Sequence, residues 1–272
     1  MQRPAVRLTT KVLVAVTFVV MIAMNAAANA LPINGRTTAA VSDSYPNLFA
    51  PAGITFSIWG VIYLLLAGYV LYQFGLFAKP SDDVAEQARR VGMQERVGVL
   101  FSVSSVVNSV WILSWHYEVI WLSTVLLATM LVLLIAIVTT IKTAAVTGRD
   151  RWFVRLPFSV YFGWLTVATI ANITVWLVSI DWNGFGIADA TWAAVIIAVG
   201  AVIGTTVVVR NRDVAYGLVL VWAYLGIVIK HTSVTGFDGA YPLVIGVTTV
   251  SMAVLLVAGV VALRRRPELA VS

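Results

Sequence analysis

No cysteine occurs in the 272 residues. Disulfides, thiolate nucleophiles and cysteine-ligated metals are therefore excluded. Charge is scarce as well: Asp, Glu, Lys and Arg together make up 11% of the chain, against about a quarter in a soluble globule. There are only two histidines, His116 and His231, and both fall at the ends of apolar runs. No Asp or Glu lies near the middle of such a run. Without paired buried carboxylates, a His–carboxylate arrangement or a metal cluster, we expect no catalytic residue of the hydrolytic kind and no metal site. A proton relay across a membrane would also need buried ionisable groups that this chain lacks.

What is present is apolar. Hydrophobic residues make up 60% of the chain and the mean hydropathy is +0.94, which marks an integral membrane protein. A span needs about 20 apolar residues. Eight stretches qualify, near 11–31, 53–75, 97–115, 119–141, 153–179, 190–209, 214–230 and 239–263. The expected fold is thus all-α, a polytopic membrane bundle of eight transmembrane helices. The third span is the most polar, with Ser102, Ser104, Ser105, Asn108 and Ser109. Such a helix should face other helices rather than lipid.

The basic residues orient the bundle. Arg3, Arg7, Lys11, Lys79, Arg89, Arg90, Arg96, Lys142, Arg149, Arg151, Arg155, Arg210, Arg212 and Arg264 to Arg266 fall on one side, which is 16 of the 18 Lys and Arg. Only Arg36 and Lys230 fall on the other. The positive-inside rule makes the crowded side cytoplasmic and puts both termini there, with a bacterial-type inner or plasma membrane as the default. The net charge of +6 then serves orientation and headgroup attraction, and no nucleic-acid partner is expected. Lys230 sits at the outer boundary of its span, where its stem can reach the interface. The first span ends in "ANA" at 28–30, a pattern that also suits a signal peptidase. We expect a retained helix with Asn25 and Asn29 on a bundle-facing edge; cleavage would leave seven spans.

Between the first two spans lies the longest external loop, 32–52, punctuated by Pro32, Asn34–Gly35, Pro46 and Pro51. Its Tyr45, Leu48 and Phe49 fit either a lid packed over a cavity or an anchor at headgroup level. The internal segment 79–96 opens with Pro80, Ser81, Asp82 and Asp83 and reads as a capped, charged cytoplasmic helix. In the sixth span Gly200 and Gly204 form a small-xxx-small pair that favours close helix packing.

Amides and aromatics remain as candidate functional groups. At 1.5 Å per residue, Asn172 lies about 10 Å below the outer boundary, and Asn108 and Trp59 lie at a similar depth. Tyr63 follows Trp59 by one turn, on the same face. Tyr161 and Trp164 lie deeper on the fifth helix, with Trp164 roughly on the face of Asn172. Tryptophans at span ends (Trp115, Trp121, Trp152, Trp182 and Trp192) read as interface anchors. Trp59 and Trp164 lie too deep for that and read as the lining of a cavity.

Three motifs carry a family resemblance. Pro51 through Trp59 to Tyr63 resembles the start of the second helix of the TspO/MBR family, the tryptophan-rich sensory and translocator proteins. "NSVW" at 108–111 resembles that family's third-helix Asn-x-x-Trp, and "YFGWLTVATIAN" at 161–172 its fifth-helix Tyr-x-x-Trp through Asn. The resemblance covers residues 10–180. "APAG" at 50–53 stands where the family has Pro-Pro-Gly-aromatic, "ILSW" follows "NSVW" in place of Pro and paired Phe, and the sterol pattern at the end of the fifth helix is absent.

The resemblance implies a five-helix domain over 1–180 followed by three additional helices over 181–272. It implies a receptor or carrier that binds a flat hydrophobic ligand, porphyrin- or haem-like, in a cavity beneath the first external loop, with a sensory or stress-related role. No cofactor is required, and a homodimer in the lipid bilayer is implied. Carried over by position, Trp59 and Trp164 match the tryptophans implicated in porphyrin contact or photochemical breakdown. Tyr63, Asn108, Trp111, Tyr161 and Asn172 match positions that line or support the cavity. Two alternatives stay open: an enzyme that degrades the porphyrin through a tryptophan radical, and a small-solute transporter that uses all eight helices.

Overall fold

The computed structural model describes residues 4–31, 33–77, 81–144, 146 and 148–264. Arg3, Pro32, Lys79, Pro80, Arg265 and Arg266 lie outside the described residues. Among the described residues, eight helices are long and apolar enough to cross a membrane, and no strand occurs. We label them α1 (Leu8–Ala30), α2 (Ile58–Gln73), α3 (Val84–His116), α4 (Ile120–Lys142), α5 (Leu156–Ser179), α6 (Asp189–Asn211), α7 (Val214–Thr232) and α8 (Pro242–Arg264). The chain divides into two compact units, Met1–Pro46 with Phe56–Asp181, and Asn47–Thr55 with Trp182–Ser272.

In the first unit the helices neighbour one another in the order α1, α3, α4, α5, α2, and α2 closes the ring against α1. α3 is the most enclosed span, with more than half of its most apolar stretch buried, as its serines predict. Those serines are self-sufficient: Ser102 donates to Gly98 O, Ser104 and Ser105 to Phe101 O, and Ser109 to Ser105 O. Back-bonding of this kind satisfies a hydroxyl within its own helix, so the small side chains contribute closeness rather than cross-links. Gly98 shows how close. A Cβ there would stand 2.9 Å from Thr10 Cγ2 and 3.2 Å from Val14 Cγ2 of α1. α1 turns Thr10, Val14, Phe18, Met21, Asn25 and Ala28 inward, a stripe at helical spacing. Glu95 accepts from Arg7 N and Thr10 Oγ1 at its start.

Two expectations change. Among the described residues, 81–96 do not hold a helix of their own. Asp83 does cap a helix start, accepting from Ala85 N and Glu86 N, but the helix then runs unbroken for 33 residues to His116. That is about 50 Å, well beyond an apolar slab of about 30 Å. No proline interrupts 84–116, and its charged first turns are rich in Ala, Glu, Gln and Arg, which are good helix formers. Trp115, expected at the interface, is instead buried, with its indole Nε1 donating to Thr38 O. Trp121 and Trp152 are exposed, as interface anchors are.

The loop between α1 and α2 also divides. Residues 33–45, which include a short helix Thr38–Asp43, lie on the end of α3. His116 is fully buried there: Nδ1 donates to Ile33 O and Nε2 pairs with Thr38 Oγ1. Asn34 donates to His116 O, and Arg36 and Tyr45 both reach Glu118. Partial burial, and then the hydrogen bond to Glu118, raise the Tyr45 phenol above its ordinary pKa.

The second unit is built from α6, α7 and α8 in mutual contact. Gly204 marks their junction: a Cβ there would come within 2.3 Å of Leu220 Cδ2 on α7 and 2.9 Å of Leu255 Cδ2 on α8. Tyr224 donates to Ile197 O from α7 to α6 at 2.7 Å. Residues 47–55 complete the unit as a strap along α7. Phe49 is 1% exposed and Leu48 8%, so both pack within protein and neither anchors at a headgroup layer.

Candidate functional site

One tryptophan organises the candidate site in the first unit. Trp59 sits in the first turn of α2 and meets four aromatic rings. Tyr63 stacks on it at 5.4 Å, as the i, i+4 spacing predicts. Trp111 of α3 lies at 6.1 Å, and Tyr161 and Trp164 of α5 approach edge-on at 5.9 and 6.2 Å. Phe56, just before α2, stands edge-on to Trp164 at 6.0 Å. Centroid separations of this size with tilted or edge-on planes are favourable arrangements of aromatic quadrupoles.

The polar atoms of this cluster fall into two groups. Tyr161 Oη is satisfied, accepting from Asn108 Nδ2 at 3.3 Å and donating to Met130 Sδ at 3.7 Å. Asn108 is satisfied in turn, because Asn25 Nδ2 of α1 donates to its Oδ1 at 2.7 Å. A polar file therefore runs from α1 through α3 to α5, ending at the ring beside Trp59. In contrast, Tyr63 Oη, Trp111 Nε1 and Trp164 Nε1 are buried without a hydrogen-bond partner. Three donors, on α2, α3 and α5, are thus left open around one indole. A buried donor left unmade costs about 1–3 kcal/mol.

Of the seven residues singled out in the sequence, Trp59, Tyr63, Trp111, Tyr161 and Trp164 come together as one aromatic cluster, and Asn108 supports it through Tyr161. Asn172 is placed differently. Its Oδ1 accepts from Thr124 Oγ1 at 2.6 Å and its Nδ2 donates to Ser123 Oγ at 3.0 Å, so both ends of its amide join α5 to α4.

Sequence reasoning missed Phe56 and Met130, which carry no signal beyond being apolar. It also missed a buried ionic cluster at the far end of α2. There Arg90 Nε donates to Asp150 Oδ2 at 3.1 Å, and Tyr72 Oη donates to Asp150 Oδ1 at 2.8 Å. Asp150 is fully buried. The available signal was an acid set among basic residues, in "GRDRWFVR". Among the described residues, no group of three or more His, Asp or Glu could hold a metal ion.

No curated protein and no solved structure matches the chain. The family model of TSPO-like proteins matches residues 11–262, a range that takes in all eight helices, including α6 to α8 beyond the 10–180 of the motif resemblance. With its membrane helices and its Trp59-centred aromatic cluster in view, the chain belongs to the TSPO-like protein family.

Proposed function

We propose that this membrane protein is a receptor or carrier for a flat hydrophobic ligand of the tetrapyrrole kind, held among α2, α3 and α5 at Trp59 and Trp164. The observation that carries the proposal is the trio of open donors, Tyr63 Oη, Trp111 Nε1 and Trp164 Nε1, around the Trp59 indole. A porphyrin meets both demands of that arrangement. Its face stacks on indole, and the carboxylates at its edge accept from unpaired N–H and O–H groups. The ligand replaces ring–ring contacts that Trp59 makes in its absence. Family membership supports the same reading, with a sensory or stress-related role and a homodimer as its physiological form. The distribution of Lys and Arg supports cytoplasmic termini in a cell membrane.

The test is a titration of the detergent-purified protein with protoporphyrin, followed by quenching of tryptophan fluorescence. Wild type should saturate, and Trp59→Phe/Trp164→Phe should bind roughly tenfold more weakly, since two aromatic contacts of about 0.5–1.5 kcal/mol each are altered. Equal affinity in the two proteins would remove these residues from the site.

A further inference from the structure

Residues 33–45 are fastened to the end of α3, and Thr38 is the centre of their seat. Its carbonyl accepts from Trp115 Nε1 at 3.1 Å, and its hydroxyl pairs with His116 Nε2 at 3.1 Å. His116 Nδ1 donates to Ile33 O at 3.1 Å. His116 is fully buried and Trp115 is 5% exposed, so these bonds are made away from solvent. At the exposed rim Arg36 pairs with Glu118 at 3.0 Å, and Tyr45 donates to the same carboxylate at 2.9 Å. Exposed ion pairs contribute little, and a buried donor is costly to leave unmade. The bonds of Trp115 and His116 therefore decide how firmly the segment is held.

Trp115 has a second commitment. One turn before it on the same face stands Trp111, and the two indoles stack with centroids 6.3 Å apart and planes 23° from parallel. Trp111 in turn lies 6.1 Å from Trp59. A row of three indoles, Trp115, Trp111 and Trp59, thus runs from the seat of 33–45 to the centre of the candidate site. All of these residues belong to the first unit. Trp111 is 5% exposed, and its Nε1 has no hydrogen-bond partner. Its indole is placed by the rings packed against it rather than by a bond of its own, so whatever fixes Trp115 also limits where Trp111 can stand.

We infer that Trp115 is a positioning residue that couples the seat of residues 33–45 to the Trp111 side of the Trp59 site. With the segment seated, Thr38 O fixes the Trp115 indole, and Trp115 holds Trp111 against Trp59. With the segment lifted, that anchor is lost and Trp111 is free to turn. Linkage makes the coupling reciprocal: a ligand that fixes Trp111 also fixes residues 33–45. The coupling itself stands without a ligand; only its effect on affinity rests on the proposed function.

The test uses the full chain in detergent and follows hydrogen–deuterium exchange of the backbone amides of 33–45. Its first arm needs no ligand. Trp111→Leu should raise exchange in 33–45, because Trp115 loses the ring that backs it. Asn172→Leu, which breaks buried hydrogen bonds between α4 and α5, should leave 33–45 unchanged. Trp115→Phe keeps a ring against Trp111 and removes the donor to Thr38 O. It should raise exchange by itself, and adding Trp111→Leu should raise it no further. Unchanged exchange in Trp111→Leu, an equal rise in Asn172→Leu, or a further rise in the double variant overturns the coupling. In the second arm, saturating protoporphyrin should slow exchange in 33–45 of wild type but not of Trp115→Phe. The affinity of that variant should fall at least about fivefold, the lower end of ordinary coupling between sites. Binding without slowing in wild type, slowing that persists in Trp115→Phe, or an unchanged affinity there overturns the positioning role. If wild type binds no porphyrin, the proposed function fails, and the first arm still decides whether Trp115 couples the segment to Trp111.

Discussion

Asn108 spends both ends of its amide inside the bundle, one on Asn25 and one on Tyr161. Asn172 also spends both, but on Ser123 and Thr124. The two look alike in sequence, at similar depth in apolar helices, and their neighbours separate them. Polar contacts between membrane helices average about 0.6 kcal/mol and reach about 1.7. Asn108→Leu breaks two of them, so it should cost roughly 1 kcal/mol in thermal unfolding. It should also weaken porphyrin binding, because Tyr161 loses the amide that orients it beside Trp59. Asn172→Leu should cost a similar amount of stability and leave affinity unchanged; a loss of affinity there would place Asn172 in the site. Combined with Asn25→Leu, Asn108→Leu should cost less than the sum of the two, because they share one hydrogen bond.

At the scale of elements, small residues and buried charge decide how helices meet. Gly204→Val should cost about 1–3 kcal/mol by overpacking against Leu220 and Leu255, read as a drop in the unfolding midpoint. The Arg90–Asp150 pair joins the first turns of α3 to the turn before α5, and Tyr72 brings in the end of α2. Asp150→Leu alone should cost about 3–5 kcal/mol because it leaves a buried guanidinium without its carboxylate, whereas Arg90→Met/Asp150→Leu should recover part of the loss. The spans themselves were legible because an apolar run of about 20 residues has few other uses. The continuity of α3 was not: the turns from Val84 to Arg96 are too charged for a hydropathy reading to join them to a span, yet nothing in them stops a helix. The Trp59 cluster was legible in part. Spacing placed Tyr63 on its face, but no local pattern shows which rings of α3 and α5 meet it, or that three donors stay open.

For the whole molecule, the distribution of Lys and Arg predicts an orientation that can be tested in intact cells, and the cysteine-free chain makes the experiment clean. With a membrane-impermeant maleimide, Asp238→Cys should label from outside, while Ser81→Cys should label only after permeabilisation; the opposite pattern would reverse the orientation. The placement of the strap had no local signature. "NLFAPAGIT" names no partner. The bonds that seat it span 167 residues from Thr55 to Trp222 and 183 from Leu48 to His231. At synthesis rates of about 5–20 residues per second, that separation is a delay of roughly 10–35 s. Throughout that interval the backbone groups of the strap have been made and their partners have not. The strap is therefore among the last parts of this protein to reach its final form, and a nascent chain arrested before its seventh helix leaves residues 47–55 with nothing to rest on.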